Sequence, residues 1–379
     1  MSCTPEEFFY VFLHTKLSVL KIRVAFFLVL GMANVFAQNS SDSTLKKVVF
    51  SAYADVYYAY DFYSPIDNVR PPFVYSFNRH NEVNLNLGFV KASYLSERVR
   101  ANAALGSGTY MNANYAAEAG TLQNVYEFNV GVKWSKKRNL WLDAGVFPSH
   151  IGFESAISKD CWALTRSIQA DNSPYFEAGA KLTYISDSST WLLSMLVLNG
   201  WQRIQRQNGN SLPAFGTQVL YTPSSQFTLN SSTFIGSDHP DSVRKMRYFH
   251  NLYGVFQLSK KWYLTAGFDF GLEQKWKGSR TYNTWMSPVL LVKMLVNDSW
   301  SLTGRAEWYQ DKNGVVVALG SPNGFNTFGY SLNADFRINP HAVFRIEGRT
   351  LHSADPIFIQ NGNGKRTSTT LTTVLSISF

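Results

Sequence analysis

From residue 49 to the C-terminus the chain repeats one unit. Roughly 10–13 residues alternate apolar and polar, then a polar, Gly or Pro break follows. In 262–273, Trp262, Leu264, Ala266, Phe268, Phe270 and Leu272 share one face; Tyr263, Thr265, Gly267, Asp269, Gly271 and Glu273 share the other. A period of two is the signature of a strand with one apolar and one wet face. The same pattern sets Phe50, Ala52, Ala54, Val56, Tyr58, Tyr60 and Phe62 against Ser51, Asp55 and Asp61. It also sets Tyr126, Phe128, Val130, Val132 and Trp134 against Glu127, Asn129, Gly131 and Lys133. Sixteen strands are predicted: 49–62, 82–95, 98–107, 124–134, 140–148, 176–186, 190–199, 214–223, 226–236, 247–258, 261–273, 285–296, 299–310, 326–338, 341–352 and 367–379. Alternation is blurred in 82–95, 190–199 and 226–236.

Short and long connections alternate along the whole chain. The long ones are 63–81, 108–123, 149–175, 200–213, 237–246, 274–284, 311–325 and 353–366. Strands therefore run up and down, with short turns at one end and long loops at the other. That asymmetry, with apolar faces outward, predicts an all-β fold, a transmembrane antiparallel up-and-down barrel. Lipid offers no hydrogen-bond partner to the backbone, so a spanning sheet has to close on itself. About sixteen strands leave room for an aqueous channel, whereas about eight fill their own interior. The long loops are expected outside the cell and the short turns in the periplasm.

Composition narrows this further. The chain has 379 residues, of which 45% are hydrophobic, 15% aromatic and only 16% charged. The charged share is well under the roughly 25% of average soluble domains. So many aromatic and β-branched residues exclude disorder, and no long uncharged apolar run in the body of the chain suggests a helical span. Lys16, Lys21 and Arg23, the apolar stretch 24–32 and Ala33-Asn34-Val35-Phe36-Ala37 form the grammar of a signal peptide, residues 1–37, cleaved after Ala37. A short periplasmic segment, 38–48, would follow, and the barrel would occupy 49–379. Cleavage removes Cys3, leaving Cys161 as the one thiol, and changes the formal charge from +9 to +8. The basic residues are scattered or sit in turns such as Lys136-Lys137-Arg138, so no nucleic-acid stripe exists.

The wet face predicts a lumen lined by Asp55, Asp61, Arg98, Arg100, Glu127, Lys133, Asp143, Glu177, Lys181, Asp269, Glu273, Lys293, Arg305, Glu307, Asp335, Arg337, Arg345, Glu347 and Arg349. Near-balance of sign argues against strong charge selectivity; the charges read either as a structural ion-pair ladder or as a lane steering anions or zwitterions. Tyr53, Tyr57 and Trp141 are also expected inside, as a candidate sugar-stacking track. The longest connection, 149–175, is too apolar at Cys161, Trp162 and Leu164 for a free tip, and 155–170 has helical composition. It is expected to enter the lumen and constrict it with Glu154, Lys159, Asp160 and Arg166; the alternative is a helix over the outer rim.

Asn124-Val125-Tyr126-Glu127, Leu142-Asp143-Ala144-Gly145-Val146-Phe147-Pro148 and Ile151-Gly152-Phe153-Glu154 are followed by Pro174-Tyr175-Phe176-Glu177-Ala178-Gly179 and Leu198-Asn199-Gly200-Trp201. In this order they resemble the OmpL-like family of β-barrel porins, over about 49–379. Ser149 and His150 stand where that family more usually has a small polar residue and Pro. The resemblance implies an outer-membrane channel for small solutes in a Gram-negative bacterium, and no particular substrate. The terminal Phe379, at the end of an alternating strand, resembles the C-terminal aromatic that the barrel assembly machinery reads in outer-membrane proteins.

Enzymatic chemistry finds little support. Ser149-His150 are adjacent on an extended chain and point apart, no Gly-x-Ser-x-Gly elbow occurs, and no metal-ligand spacing is present. No cofactor or metal is expected. The expected function is passive diffusion of small hydrophilic solutes. The alternatives are a porin biased toward phosphate or oligosaccharide, and a closed barrel serving as an outer-membrane anchor or adhesin. Expected partners are outer-membrane lipids, lipopolysaccharide and the solutes; a homotrimer would need one flatter wall, which the pattern does not single out.

Overall fold

A computed structural model describes residues 47–379 apart from Asn361. The expected leader and the start of the following segment lie outside the described residues. The strands are β1 (Lys47–Asp61), β2 (Val83–Leu95), β3 (Val99–Ser107), β4 (Val125–Lys133), β5 (Asn139–Pro148), β6 (Phe176–Ile185), β7 (Trp191–Leu198) and β8 (Ala214–Ser224). They continue as β9 (Phe227–Gly236), β10 (Arg247–Gln257), β11 (Trp262–Gln274), β12 (Tyr282–Leu295), β13 (Trp300–Asp311), β14 (Phe325–Asn339) and β15 (Ala342–Ser353). A small hairpin, β16 (Phe358–Gln360) and β17 (Asn363–Lys365), precedes the last strand, β18 (Thr367–Ser378).

Sixteen of these strands form one closed antiparallel barrel, each paired with its sequence neighbour. The seam between first and last strands is shut, in register from Tyr53 opposite Ser378 to Asp61 opposite Thr370. Closure gives the backbone polar groups partners without help from solvent. All sixteen predicted strands are present, with ends displaced by a few residues. The β16–β17 hairpin in the last long loop, a helix at Thr109–Asn114 in the second and short helical turns elsewhere in the loops carried no period-two pattern.

The alternation sorts the wall as expected. Phe50, Val130, Phe268 and Phe270 are exposed on the outside, whereas Asp55, Glu127, Thr265 and Asp269 are buried within. Trp134, Trp191, Trp262 and Trp300 are exposed at the short-turn end, as in an interfacial girdle.

Tyr126 is a correction. The sequence pattern puts it on the outer face, but the β3–β4 register slips between Ala104 and Leu105. The slip turns Tyr126 toward the lumen-facing Phe89, and the rings stack with centroids 4.6 Å apart. A bulge places two adjacent side chains on the same side, which strict alternation cannot anticipate.

The interior at the long-loop end is also drier than expected. Phe234, Phe249, Trp285 and Tyr309 from the wall pack with Phe73, Val317 and Phe358 from the loops. Deeper in the wall β12 is apolar on both faces too, at Val289, Leu290, Leu291 and Val292. A strand covered on both sides reads as a continuous apolar run.

Candidate functional site in the lumen

The third long loop, 149–175, enters the barrel. Gly145 and Gly179 lie opposite each other in the β5–β6 pairing at its root, both with positive φ. A Cβ at Gly179 would fall 2.0 Å from the Val197 carbonyl oxygen, so only glycine fits the backbone there. The Ser149 N–H donates to the Tyr175 carbonyl at 3.0 Å and closes the loop. His150 then turns the chain across the lumen: its Nδ1 is 2.8 Å from Glu177 on β6 and its Nε2 is 2.9 Å from the Thr233 carbonyl on β9.

Beyond His150 the loop is bonded to strand after strand. The Gly152 N–H donates to Asn251 at 3.1 Å, and Phe153 packs edge-on against Tyr253. Ser158 meets the Tyr53 hydroxyl at 2.8 Å and the Ser376 hydroxyl at 3.1 Å, while the Lys159 ammonium donates to the Ser378 hydroxyl. Ser378 is the last residue of β18, so the loop tip reaches the short-turn end of the barrel. Arg345 donates to the carbonyls of Cys161 and Trp162 at 2.9 and 3.0 Å, and is paired with Asp335. Arg305 donates to the Thr165 carbonyl at 2.6 Å and to Glu347 at 2.8 Å. Glu307 accepts from the Ile168 N–H at 2.6 Å and is paired with Arg349. Gln169 donates to the Ser287 carbonyl at 3.0 Å.

These contacts show where the predicted lumen charges serve. Arg305, Glu307, Glu347 and Arg349 form one buried network and Asp335 with Arg345 a second pair, and together they hold the loop to β13, β14 and β15. Asp55 lies wholly buried, accepting from the Leu87 N–H at 2.7 Å, and Asp61 accepts from the Tyr63 N–H at 3.0 Å. Arg98 lies one residue before β3, and its side chain is exposed in the turn. Arg337 is exposed near the end of β14.

The four predicted constriction residues divide into two pairs. Arg166 is fully buried and donates to the carbonyls of Ser155, Leu164 and Ala156 at 2.7–2.8 Å, so it folds the loop upon itself. Glu154 is also buried; it accepts from the Ser167 N–H at 3.1 Å and lies 3.8 Å from Arg305. Burial pushes its carboxyl above the usual range. Lys159 and Asp160 remain half-buried. Burial raises Asp160 to about 6, opposed by Lys159, Arg166 and Arg345. The helix expected across 155–170 shrinks to one turn at Ser158–Asp160 and one at Ile168–Asp171, because backbone groups of the loop bond to the wall rather than to each other.

The wall over β2–β5 differs: toward the long loops Ala156, Ile157 and Ala170 share an apolar cluster with Leu87, Phe89 and Val146, and toward the short turns the wall is polar. Among the described residues, no side-chain hydrogen bond ties 150–173 to β2, β3, β4 or β5. Here Lys91 pairs with Glu127 at 2.5 Å, and Arg100 with Asp143 at 2.5 Å, with both basic side chains about one-fifth to one-quarter exposed. Gly131 stands between the latter two; a Cβ would lie 2.2 Å from Asp143 Oδ1. Ser93, Asn102 and Asn129 bond in series across β2, β3 and β4 at 2.9 and 3.0 Å. Lys133 and Lys181 are half-buried. Lys91 was missed by the sequence reading because alternation is blurred in β2.

Tyr53, Tyr57 and Trp141 do lie inside, but they do not form an open track. Tyr53 is bonded to the loop, Tyr57 packs edge-on against Phe77, and the Arg100 guanidinium covers Trp141 at 4.4 Å.

The fold has solved counterparts. The anion-selective porin of Comamonas acidovorans has a TM-score of 0.58 at 8% identity, covering 88% of this chain and 99% of that one. OmpF of Salmonella typhi, solved with daunomycin, gives 0.56 at 9% identity, covering 88% and 98%. The outer-membrane channel DcaP of Acinetobacter baumannii gives 0.55 at 8%, covering 88% and 97%. At such identities the likeness concerns the fold alone. No curated protein matches the sequence. Residues 47–379 match the family described as "Putative beta-barrel porin-2, OmpL-like". With the closed sixteen-stranded wall and the loop-filled lumen, that match places the chain in the OmpL-like family of outer-membrane β-barrel porins.

Proposed function

We propose that this porin allows passive diffusion of small hydrophilic solutes across the outer membrane of a Gram-negative bacterium, through a passage narrowed by loop 149–175. The observation that carries this reading is the asymmetry of the interior. Side-chain hydrogen bonds tie the loop to β6 and to the wall from β9 round to β1, whereas β2–β5 keep partly exposed charged pairs beside it. A fixed loop on one side and a hydrated wall on the other leave an off-axis lane, with Lys159 and Asp160 at the loop tip as the constriction. Glu154 and Arg166 act by holding the loop in shape. Outer-membrane lipids and lipopolysaccharide would surround the apolar band, and the assembly machinery would read Phe379.

The test is planar-bilayer conductance of the refolded chain, compared with a variant lacking 155–170. Stepwise current that rises several-fold on deletion is the expected result. Equal conductance in the two proteins would remove the constriction and leave the channel. A second reading, a closed barrel serving as an anchor, is favoured by the apolar cluster around Phe73, Phe249 and Trp285 at the long-loop end. Absence of current from folded protein would select it.

A further inference from the structure

Counted along the sequence, the lumen charges nearly cancel. Paired in space, they do not. Glu127, Asp143, Glu273, Glu307, Asp335 and Glu347 each face an Arg or Lys, while Glu177, at 0% exposure, meets the His150 ring. Asp55, Asp61 and Asp269 lack an ion pair but are nearly inaccessible, at 0%, 3% and 3% exposure. The basic side is not used up in the same way. Among the described residues, the Lys181 ammonium has neither an ion pair nor a hydrogen bond; it rests over the Phe147 ring at 4.5 Å.

Its position matters as much as its charge. Arg100, Gly131, Asp143 and Lys181 are consecutive register partners across β3, β4, β5 and β6. They form one row in the short-turn half of the wall, and among the described residues no side-chain hydrogen bond from 150–173 reaches β3, β4 or β5. Asp143 is taken by Arg100 through two bonds of 2.5 and 2.6 Å, so its charge is already neutralised when Lys181 approaches from the other side. A half-buried ammonium without a carboxylate of its own, between low-dielectric walls, projects its field into the space beside it. The carboxylate at the loop tip, Asp160, is half-buried beside Lys159.

We propose that the passage along β2–β6 prefers small anions and that Lys181 is the residue that sets this preference. This rests on the channel reading above and adds a substrate class to it. An anion entering the lane meets paired charges at Lys91–Glu127 and Arg100–Asp143 and a free cation at Lys181. A cation meets the same pairs and is repelled at Lys181.

The experiment is the reversal potential of the refolded full barrel in a potassium chloride gradient. The wild type is expected to pass chloride over potassium by roughly threefold or more, Lys181→Gln to bring the ratio near unity, and Lys181→Glu to invert it. Lys277→Gln, in the exposed loop between β11 and β12, is the control that leaves the ratio unchanged. Single-channel conductance of each variant verifies that the barrel has formed. A non-selective or cation-selective wild type overturns the proposal while leaving the channel intact, and so does a ratio that Lys181→Gln does not move. A wild type without current removes the channel reading, and this proposal falls with it.

Discussion

Arg305 on β13 donates through Nη1 to the Thr165 carbonyl at 2.6 Å and through Nη2 to Glu347 at 2.8 Å. One fully buried guanidinium thus joins the barrel wall to the loop inside it. Removing one partner of such a group leaves the others charged, buried and unpaired, at a cost of ~3–5 kcal/mol. Arg305→Ala is expected to release the middle of the loop, lowering the thermal transition of the refolded barrel and raising conductance with added noise. Unchanged transition temperature and current would show that the clamp is dispensable.

Asp160 makes the lane sensitive to pH. Its carboxyl is raised to about 6, by burial first, against the opposing fields of Lys159, Arg166 and Arg345. The folded chain therefore favours the protonated acid, and this contribution to stability is complete below about pH 4 and lost as pH rises through about 6. The same protonation removes a negative charge beside the passage. Chloride preference is expected to increase between pH 7 and pH 5, and Asp160→Asn to hold the acidic value throughout. Reversal potentials at the two pH values, for both proteins, decide the matter.

Gly131 leaves room for the Arg100–Asp143 pair. A methyl group there would sit 2.2 Å from Asp143 Oδ1 and 3.0 Å from Arg100 Cγ. Gly131→Ala should force the two side chains apart and destabilise the barrel by ~1–3 kcal/mol, as overpacking does. Urea unfolding followed by tryptophan fluorescence measures this; a midpoint equal to wild type would contradict it.

Cys161 reports on the loop without any need for current. Its thiol is 4% exposed and lies 3.4 Å from the Ser155 carbonyl, and the adjoining carbonyl group is held by Arg345. Burial also raises the thiol's pKa, so little thiolate forms. A charged methanethiosulfonate reagent is expected to label the native barrel slowly and Arg345→Ala at least roughly tenfold faster. Equal rates would mean that the tip is already mobile in the wild type.

The wall is legible in the order of residues alone. Alternating side chains have only one satisfactory arrangement in lipid, apolar outward and polar inward, and closure follows because no backbone group can be left unpaired. That is why all sixteen strands, the alternation of short turns and long loops, and the inward charges at Asp143, Arg305 and Glu347 could be read from the chain. What the tertiary structure decided lies where the period-two rule has no authority. Tyr126 turned inward because a bulge changed the register. Arg166 and Glu154 became supports within the loop, while Lys181 was left without a partner. Which charge pairs with which depends on how an irregular loop crosses the barrel, and that is set by distances between residues remote in sequence.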